Sequence, residues 1–90
     1  MNNNLQKISD FKDKSLLIVD DDNPFRDRLA RAMEKKGFLV SQAEGVKKAI
    51  DLIKLKKQAF AVVDLRLGDG NGLEIVKELQ ASNGDCKIIM

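Results

Sequence analysis

Four apolar runs of strand length alternate along the chain with three longer segments in which apolar residues recur at helical spacing. A short continuous apolar run is typical of a parallel strand that is buried on both faces. Strands are predicted at Ser15–Val19, 38–43, 59–64 and 86–90, after a polar N-terminal arm at residues 1–14. The order β-α-β-α-β-α-β with short connections predicts an α/β fold with a doubly wound parallel sheet.

The intervening helices are predicted from the spacing of their apolar residues. In the first, Phe25, Leu29 and Met33 recur every four residues. The second is expected at about residues 45–56, where apolar residues again lie on one face. The third follows the loop 68–72, whose three glycines predict a tight turn with positive φ angles.

Composition agrees with one small globular domain. The chain has 90 residues, of which 33% are charged and 43% hydrophobic, and this balance argues against a disordered, fibrous or membrane protein. Its apolar runs are far shorter than the roughly 20 residues that cross a bilayer. No secretory signal is evident at the start, so the cytoplasm is the expected location. The net charge of +2 is not clustered, which argues against nucleic-acid binding by this segment.

Several kinds of site are excluded by residue types or spacing. Cys86 is the only cysteine, so no internal disulfide can form, and its apolar neighbours favour a small core or edge residue over a redox switch. Without histidine there is neither a Cys/His metal site nor a Ser-His-Asp triad. A dinucleotide loop would need glycine at Leu73. Calcium loops counted from Asp69 or Asp20 have Leu73 or Pro24 at their fifth position.

Carboxylates follow two of the predicted strands. Asp20, Asp21 and Asp22 come directly after the first strand, and Asp64 closes the third. Ligand sites of open α/β sheets form beyond the carboxyl ends of the strands, so neighbouring strands would bring these acids together. Their repulsion would favour a bound cation, and Mg²⁺ prefers oxygen ligands. Asp64 is then the candidate nucleophile, because a carboxylate that attacks phosphorus gives an aspartyl phosphate.

Each of these acids also has a purely structural interpretation. Residues 20–22 could cap the first helix and match its dipole, although Asn23 is the predicted N-cap. Asp64 taken alone could be a strand-end acid without a role. Asp69 and Asn71 are predicted to form turns, since such side chains bond to their own backbone. Only the combination of the two acidic positions favours a functional site.

The segments LLIVDDDNPFRDRL and FAVVDLRLGDGNGLEIVKEL resemble the first and third strand segments of bacterial response-regulator receiver domains. The stretch VVDLRLGDGNGL is similar to redox-responsive regulators of the RegA/PrrA/ActR type, in which a receiver precedes a DNA-binding helix-turn-helix of the Fis kind. The resemblance covers residues 15–90 and implies a flavodoxin-like (CheY-like) sheet of order 2-1-3-4. The fifth strand and the last helices of a receiver would be missing from this sequence.

This resemblance implies a phosphoacceptor in a two-component phosphorelay. Asp64 would be phosphorylated by a partner histidine kinase. Asp21 and Asp64 would bind Mg²⁺ directly, Asp20 would hold it largely through water, and the backbone carbonyl of Arg66 would complete the protein ligands. Gly68 stands where many receivers have proline, which is expected to loosen the loop without removing chemistry. Transcription regulation would require DNA binding through a C-terminal effector domain outside this sequence.

The resemblance also implies that the switch hydroxyl and the phosphate-pairing lysine of the family lie beyond Met90. We therefore expect metal binding, but not signal output, from this segment. In a 2-1-3-4 sheet only one helix covers one of the faces, so apolar surface beside the first helix is expected to be bare. A weakly stable monomer, a homodimer or association through the open edge of the fourth strand would follow.

Two other functions stay open at this point. A Mg²⁺-dependent phosphohydrolase also forms an aspartyl phosphate, but such enzymes commonly place a second acid two residues after the nucleophile, where this chain has Arg66. A non-phosphorylated interaction module could share the fold and act through its helix faces. That module would show no saturable metal site.

Overall fold

A four-stranded parallel sheet with helices on both faces forms the fold in the computed structural model, which describes residues 12–90. The sheet order is β2-β1-β3-β6, which confirms the predicted α/β fold and the order 2-1-3-4. Most of the predicted arm lies outside the described residues. The sheet strands are β1 (Ser15–Val19), β2 (Leu39–Ala43), β3 (Phe60–Val63) and β6 (Lys87–Ile89). The helices are α1 (Asn23–Lys35), α2 (Val46–Leu55) and α3 (Gly72–Ser82), and a small hairpin of β4 (Arg66–Leu67) and β5 (Gly70–Asn71) precedes α3.

The central position of β1 explains why all five of its residues are buried. It pairs in parallel with β2 and β3, and Val19 is level with both Ala43 and Val63. The pairing continues one residue further, because the Asp20 N–H donates to the Ala43 carbonyl at 3.1 Å and the Asp64 N–H donates to the Val19 carbonyl at 2.9 Å. The acids that follow β1 and β3 are therefore at the same end of the sheet.

Alternate residues of β1 serve two separate cores, as expected when successive side chains point to opposite faces. Leu17 and Val19 belong to the larger core, which lies between the sheet and the helices α2 and α3. Leu16 and Ile18 belong to the smaller core, where Ala30 of α1 packs against them. Cys86 packs at the margin of the larger core, and burial raises the pKa of its thiol. That placement agrees with the predicted core or edge position.

The face that carries α1 is incompletely covered. Beside this helix lies an apolar cavity of about 310 Å³. It is lined by residues of β1, α1, β3 and β6, among them Leu16, Met33, Phe60 and Ile88, and by Phe38, which precedes β2. This cavity is the bare apolar surface that was expected from having one helix on this side of the sheet.

Three sequence predictions are wrong in detail. The N-cap of α1 is Asp22 rather than Asn23, because the Asp22 carboxylate accepts a hydrogen bond from the Phe25 N–H at 3.0 Å. The strands β2, β3 and β6 are each shorter than predicted, because their paired residues span only Leu39–Ala43, Phe60–Val63 and Lys87–Ile89. Among the three glycines of the loop only Gly70 has a positive φ, of 155°.

Of the residues described, no helix is both long and apolar enough to cross a membrane.

Candidate metal centre

Three of the predicted site residues meet at the carboxyl end of the sheet. Asp20, Asp21 and Asp64 each offer a carboxylate oxygen, and these oxygens all lie within 4.8 Å of one another. Asp20 and Asp64 are half-buried and Asp21 is exposed. Oxygens on opposite sides of one Mg²⁺ are about 4.2 Å apart, and the ion usually keeps several waters. Two direct carboxylates and a third acting through water would thus fit this cluster with little movement.

Asp64 is held at the end of β3 by the local backbone. Its Oδ1 accepts a hydrogen bond from the Arg66 N–H at 3.3 Å. Arg66 itself is exposed and begins the β4–β5 hairpin. The N–H two residues after Asp64 therefore helps to orient its carboxylate, while the role of the Arg66 carbonyl as a metal ligand stays a prediction.

The residues after β1 divide between the cluster and the helix. The Asp20 Oδ1 accepts from the Asp22 N–H at 2.9 Å, which fixes the turn into α1. For Asp22 the structural interpretation is correct, since this residue caps the helix. Arg26 braces the same turn, because it donates to the Asp20 carbonyl at 2.7 Å and to Gln42 Oε1 at 3.0 Å. Sequence reasoning missed Arg26, because its partners include a backbone atom and a residue of another strand.

The loop after Asp64 makes an unusually close approach to α3. Gly72 is buried at the start of that helix, and its N–H donates to the Leu65 carbonyl at 2.9 Å. A Cβ at this position would overlap the carbonyl oxygen of Asp64. Gly72 is thus required for space and not for a positive φ, which corrects the sequence-based expectation.

Asn71 behaves as predicted, whereas Asp69 does not. Asn71 caps α3, accepting from the Leu73 N–H at 2.8 Å, and Glu74 completes the capping box. Asp69 was expected to bond to its own turn. Instead its carboxylate accepts from the N–H groups of Val46 at 2.7 Å and Lys47 at 3.1 Å, at the start of α2. These two bonds lower the pKa of the Asp69 carboxyl.

This lowered pKa predicts a loss of stability in acid. The ordinary pKa of an aspartate carboxyl is 3.8, and the pKa of Asp69 in the folded protein is lower. The ionised Asp69 carboxylate therefore stabilises the fold fully above pH 3.8, and this stabilisation is lost as the pH falls through the folded-state pKa. We expect Asp69→Asn to be less stable than the wild type at neutral pH. In urea unfolding, the difference in the free energy of unfolding should shrink as the pH falls below about 4. A difference that does not change with pH would contradict this assignment.

A cleft borders the acidic cluster at Asp21. A cavity of about 650 Å³ runs from Asp21 to the first turn of α2. Glu44, Lys47, Gly68 and Asp69 are among the residues that line it. Of the three acids, only the exposed Asp21 therefore lines this cleft.

Comparisons with known proteins point to one family. Residues 16–90 match the family model described as the response regulator receiver domain. The chain is 50% identical over 78 residues to the photosynthetic apparatus regulatory protein RegA of Cereibacter sphaeroides, covering 87% of this chain and 42% of that protein. It is equally similar to the acid tolerance regulatory protein ActR of Sinorhizobium medicae, of which it covers 40%. The chain thus spans about two fifths of the length of these relatives.

Solved structures of other response regulators have the same fold as this chain. A response regulator from Burkholderia pseudomallei with a phosphorylated aspartic acid, a calcium ion and citrate has a TM-score of 0.79 at 37% identity, over 84% of this chain and 45% of that one. The response regulator TrrA from Thermotoga maritima in complex with Mg²⁺ and BeF has a TM-score of 0.77 at 26% identity, over 86% and 67%. TrrA in complex with the histidine kinase ThkA matches with a TM-score of 0.73 at 25% identity, over 83% and 65%.

Proposed function

Because this chain belongs to the response regulator receiver family, we propose that it accepts a phosphoryl group on Asp64 with the help of Mg²⁺ bound beside it. The observation that carries the proposal is the meeting of Asp20, Asp21 and Asp64, whose carboxylate oxygens lie within 4.8 Å of one another. Support comes from the relative of known structure that holds both a phosphorylated aspartic acid and a divalent ion.

The chain's own residues supply a binding cluster and a nucleophile. Asp21 and Asp64 would hold the ion directly, Asp20 through water, and the Arg66 carbonyl would be the remaining protein ligand. When bound, Mg²⁺ orients the donor and neutralises charge on the transferring oxygens. An Asp64 oxygen attacks the phosphorus of the donor, so that one O–P bond forms while the bond to the leaving group breaks. The Arg66 N–H orients the Asp64 carboxylate for this attack.

The charge of the cluster explains why a divalent cation is needed. Two carboxylates about 4 Å apart repel each other by roughly 1 to 4 kcal/mol, depending on how much water surrounds them. Three acids in one cluster therefore disfavour the approach of a phosphate unless a cation offsets their charge. Because Asp21 is exposed, water and salt screen its charge, and the repulsion energy lies towards the lower part of that range.

A direct labelling experiment tests the proposal. The protein is mixed with a small acyl phosphate, either with Mg²⁺ or with a chelator, and its intact mass is followed. We expect a gain of one phosphoryl group that depends on Mg²⁺. No gain with Mg²⁺, or the same gain with the chelator, would contradict the proposal.

In the cell, a sensor histidine kinase would be the phosphodonor. The complex of TrrA with a histidine kinase supports this partner for a receiver of the same fold. The relatives named as regulatory proteins support a role in cytoplasmic transcription regulation, with DNA contacted by an effector region outside this sequence. The domain would act as a phosphoacceptor and not as an enzyme with a separate substrate. A phosphohydrolase is disfavoured because Arg66 stands where a second acid is expected.

Association through the open edge of β6 is a further expectation. In the described part of the chain β6 pairs only with β3, and Ile89 is 68% exposed next to the apolar cavity. We expect the protein to associate as its concentration rises, and Ile89→Lys to weaken this association by placing a charge on the edge. Sedimentation velocity measures both effects. As a control, Leu55→Lys changes an 82% exposed leucine of α2 and should leave association unaltered; equal effects of the two variants would contradict the edge assignment.

A further inference from the structure

Asp69 joins the loop after β3 to the beginning of α2. Its carboxylate oxygens accept from the N–H groups of Val46 at 2.7 Å and Lys47 at 3.1 Å, which lie 23 and 22 residues earlier in the chain. The N-cap residue of α2 is Gly45, which has no side chain to bond to these groups. Asp69 therefore replaces the missing cap and ties the tip of the loop to the helix.

The same loop also determines the surroundings of Asp64. At its base the Arg66 N–H donates to Asp64 Oδ1, and the Gly72 N–H donates to the Leu65 carbonyl. The β4–β5 hairpin closes the loop between these bonds. The loop is thus held at its base by hydrogen bonds from two backbone N–H groups and at its tip by Asp69.

We propose that Asp69 is a positioning residue for the metal-dependent phosphorylation of Asp64. By holding the hairpin against α2, it keeps Arg66 beside the acidic cluster, where the Arg66 N–H orients the Asp64 carboxylate. This inference rests on the proposed function of the cluster. Removing residues that orient metal ligands typically lowers metal affinity by about 10- to 100-fold. Asp69 therefore affects the site without contacting the ion or the phosphoryl group.

Close packing at this contact allows position and charge to be tested separately. A methyl group at Gly45 would lie 2.6 Å from Asp69 Oδ1, so Gly45→Ala displaces the carboxylate but keeps its charge. The backbone of Gly45 is extended, with φ of −163°, and alanine adopts it without strain. Asp69→Asn does the opposite, because it removes the charge but keeps an oxygen that can cap α2.

The experiment measures the dissociation constant for Mg²⁺ by titration and the rate of labelling by a small acyl phosphate. All variants are compared at a temperature at which circular dichroism shows them folded. We expect Asp69→Ala and Gly45→Ala each to weaken Mg²⁺ binding by about tenfold and to slow labelling. Asp69→Asn should retain part of the affinity. The double variant should bind no more weakly than Asp69→Ala, because its methyl group meets no carboxylate.

A destabilised variant far from the site serves as the control. Ser15 is buried at the other end of β1, where its Oγ accepts from the Ala59 N–H at 2.9 Å. Ser15→Ala should lower stability and leave the affinity for Mg²⁺ unchanged. If Ser15→Ala loses affinity for Mg²⁺ in proportion to its loss of stability, and Asp69→Ala follows the same proportion, the inference is overturned. General destabilisation would then explain the weaker binding of both variants.

Three other outcomes would also overturn it. If Asp69→Ala is less stable but binds Mg²⁺ like the wild type, Asp69 is only a helix cap. If Asp69→Asn is as weak as Asp69→Ala while Gly45→Ala is unaffected, charge and not position is responsible. If the wild type itself binds no Mg²⁺, the proposed function fails and the inference fails with it, whereas the first two outcomes leave the proposed function intact.

Discussion

Asp64→Asn is expected to abolish phosphoryl acceptance completely. The amide that replaces the carboxylate has no anionic oxygen to attack phosphorus, and it is also a poorer ligand for Mg²⁺. The variant should nevertheless fold. Without Mg²⁺ its free energy of unfolding should rise by about 1 kcal/mol, because one of three repelling charges is gone. Intact mass after treatment with a small acyl phosphate measures acceptance, and urea unfolding measures stability.

Asp85→Asn is the matched control for this loss. Asp85 is an exposed acid in the turn between α3 and β6, outside the acidic cluster. This variant should be labelled at the wild-type rate. Labelling that persists in Asp64→Asn would mean that another residue receives the phosphoryl group, and the assignment of Asp64 would be wrong.

The second large effect is expected from Gly72→Ala. Its Cβ would overlap the Asp64 carbonyl oxygen and lie 3.0 Å from the Leu65 Cα, and neither backbone atom can move without shifting the end of β3. Overpacking of this kind costs about 1 to 3 kcal/mol and occasionally more. Because the overlap is with backbone atoms, we expect the upper end of this range, a loss of about 3 kcal/mol in urea unfolding. A small domain has little stability to lose, so a large fraction of the variant should be unfolded at about 37 °C.

Gly68→Ala tests whether this loss arises from the contact and not from the loop in general. Gly68 belongs to the same glycine-rich loop, but a Cβ there would meet no atom within 4 Å. Its stability should stay within about 0.5 kcal/mol of the wild type. Equal stabilities of the two variants would show that the close approach at Gly72 is not a constraint on the fold.

Most of the fold follows from local sequence patterns. The apolar run of β1 is continuous because the strand is central and buried on both faces, so its bounds are predicted to the residue. Asp20, Asp21 and Asp64 are also predictable as a cluster, since each follows a strand and adjacent parallel strands end together. Strands nearer the edge, such as β6, are less certain because apolar residues continue beyond their pairing.

Contacts between distant parts of the chain could not be predicted in this way. Aspartate is a common residue in turns, which is why Asp69 was predicted to bond to its own turn. Its actual bonds to Val46 and Lys47 depend on how the fold places the loop next to α2. The one local signal is Gly45, which leaves the start of α2 without a cap of its own. The sequence likewise predicts a flexible glycine at Gly72. In the structure this residue is buried against the backbone of Asp64 and Leu65, which leaves no space for a side chain.

Titration of isotope-labelled protein with Mg²⁺ at constant ionic strength, followed by NMR, tests the central claim most directly. If the acids after β1 and β3 jointly bind one ion, the amide signals of Asp20, Asp21, Asp64 and Arg66 will shift together and saturate with a single dissociation constant. Shifts that rise without saturation, or that are no larger at these residues than at Asp51 on the surface of α2, would contradict it.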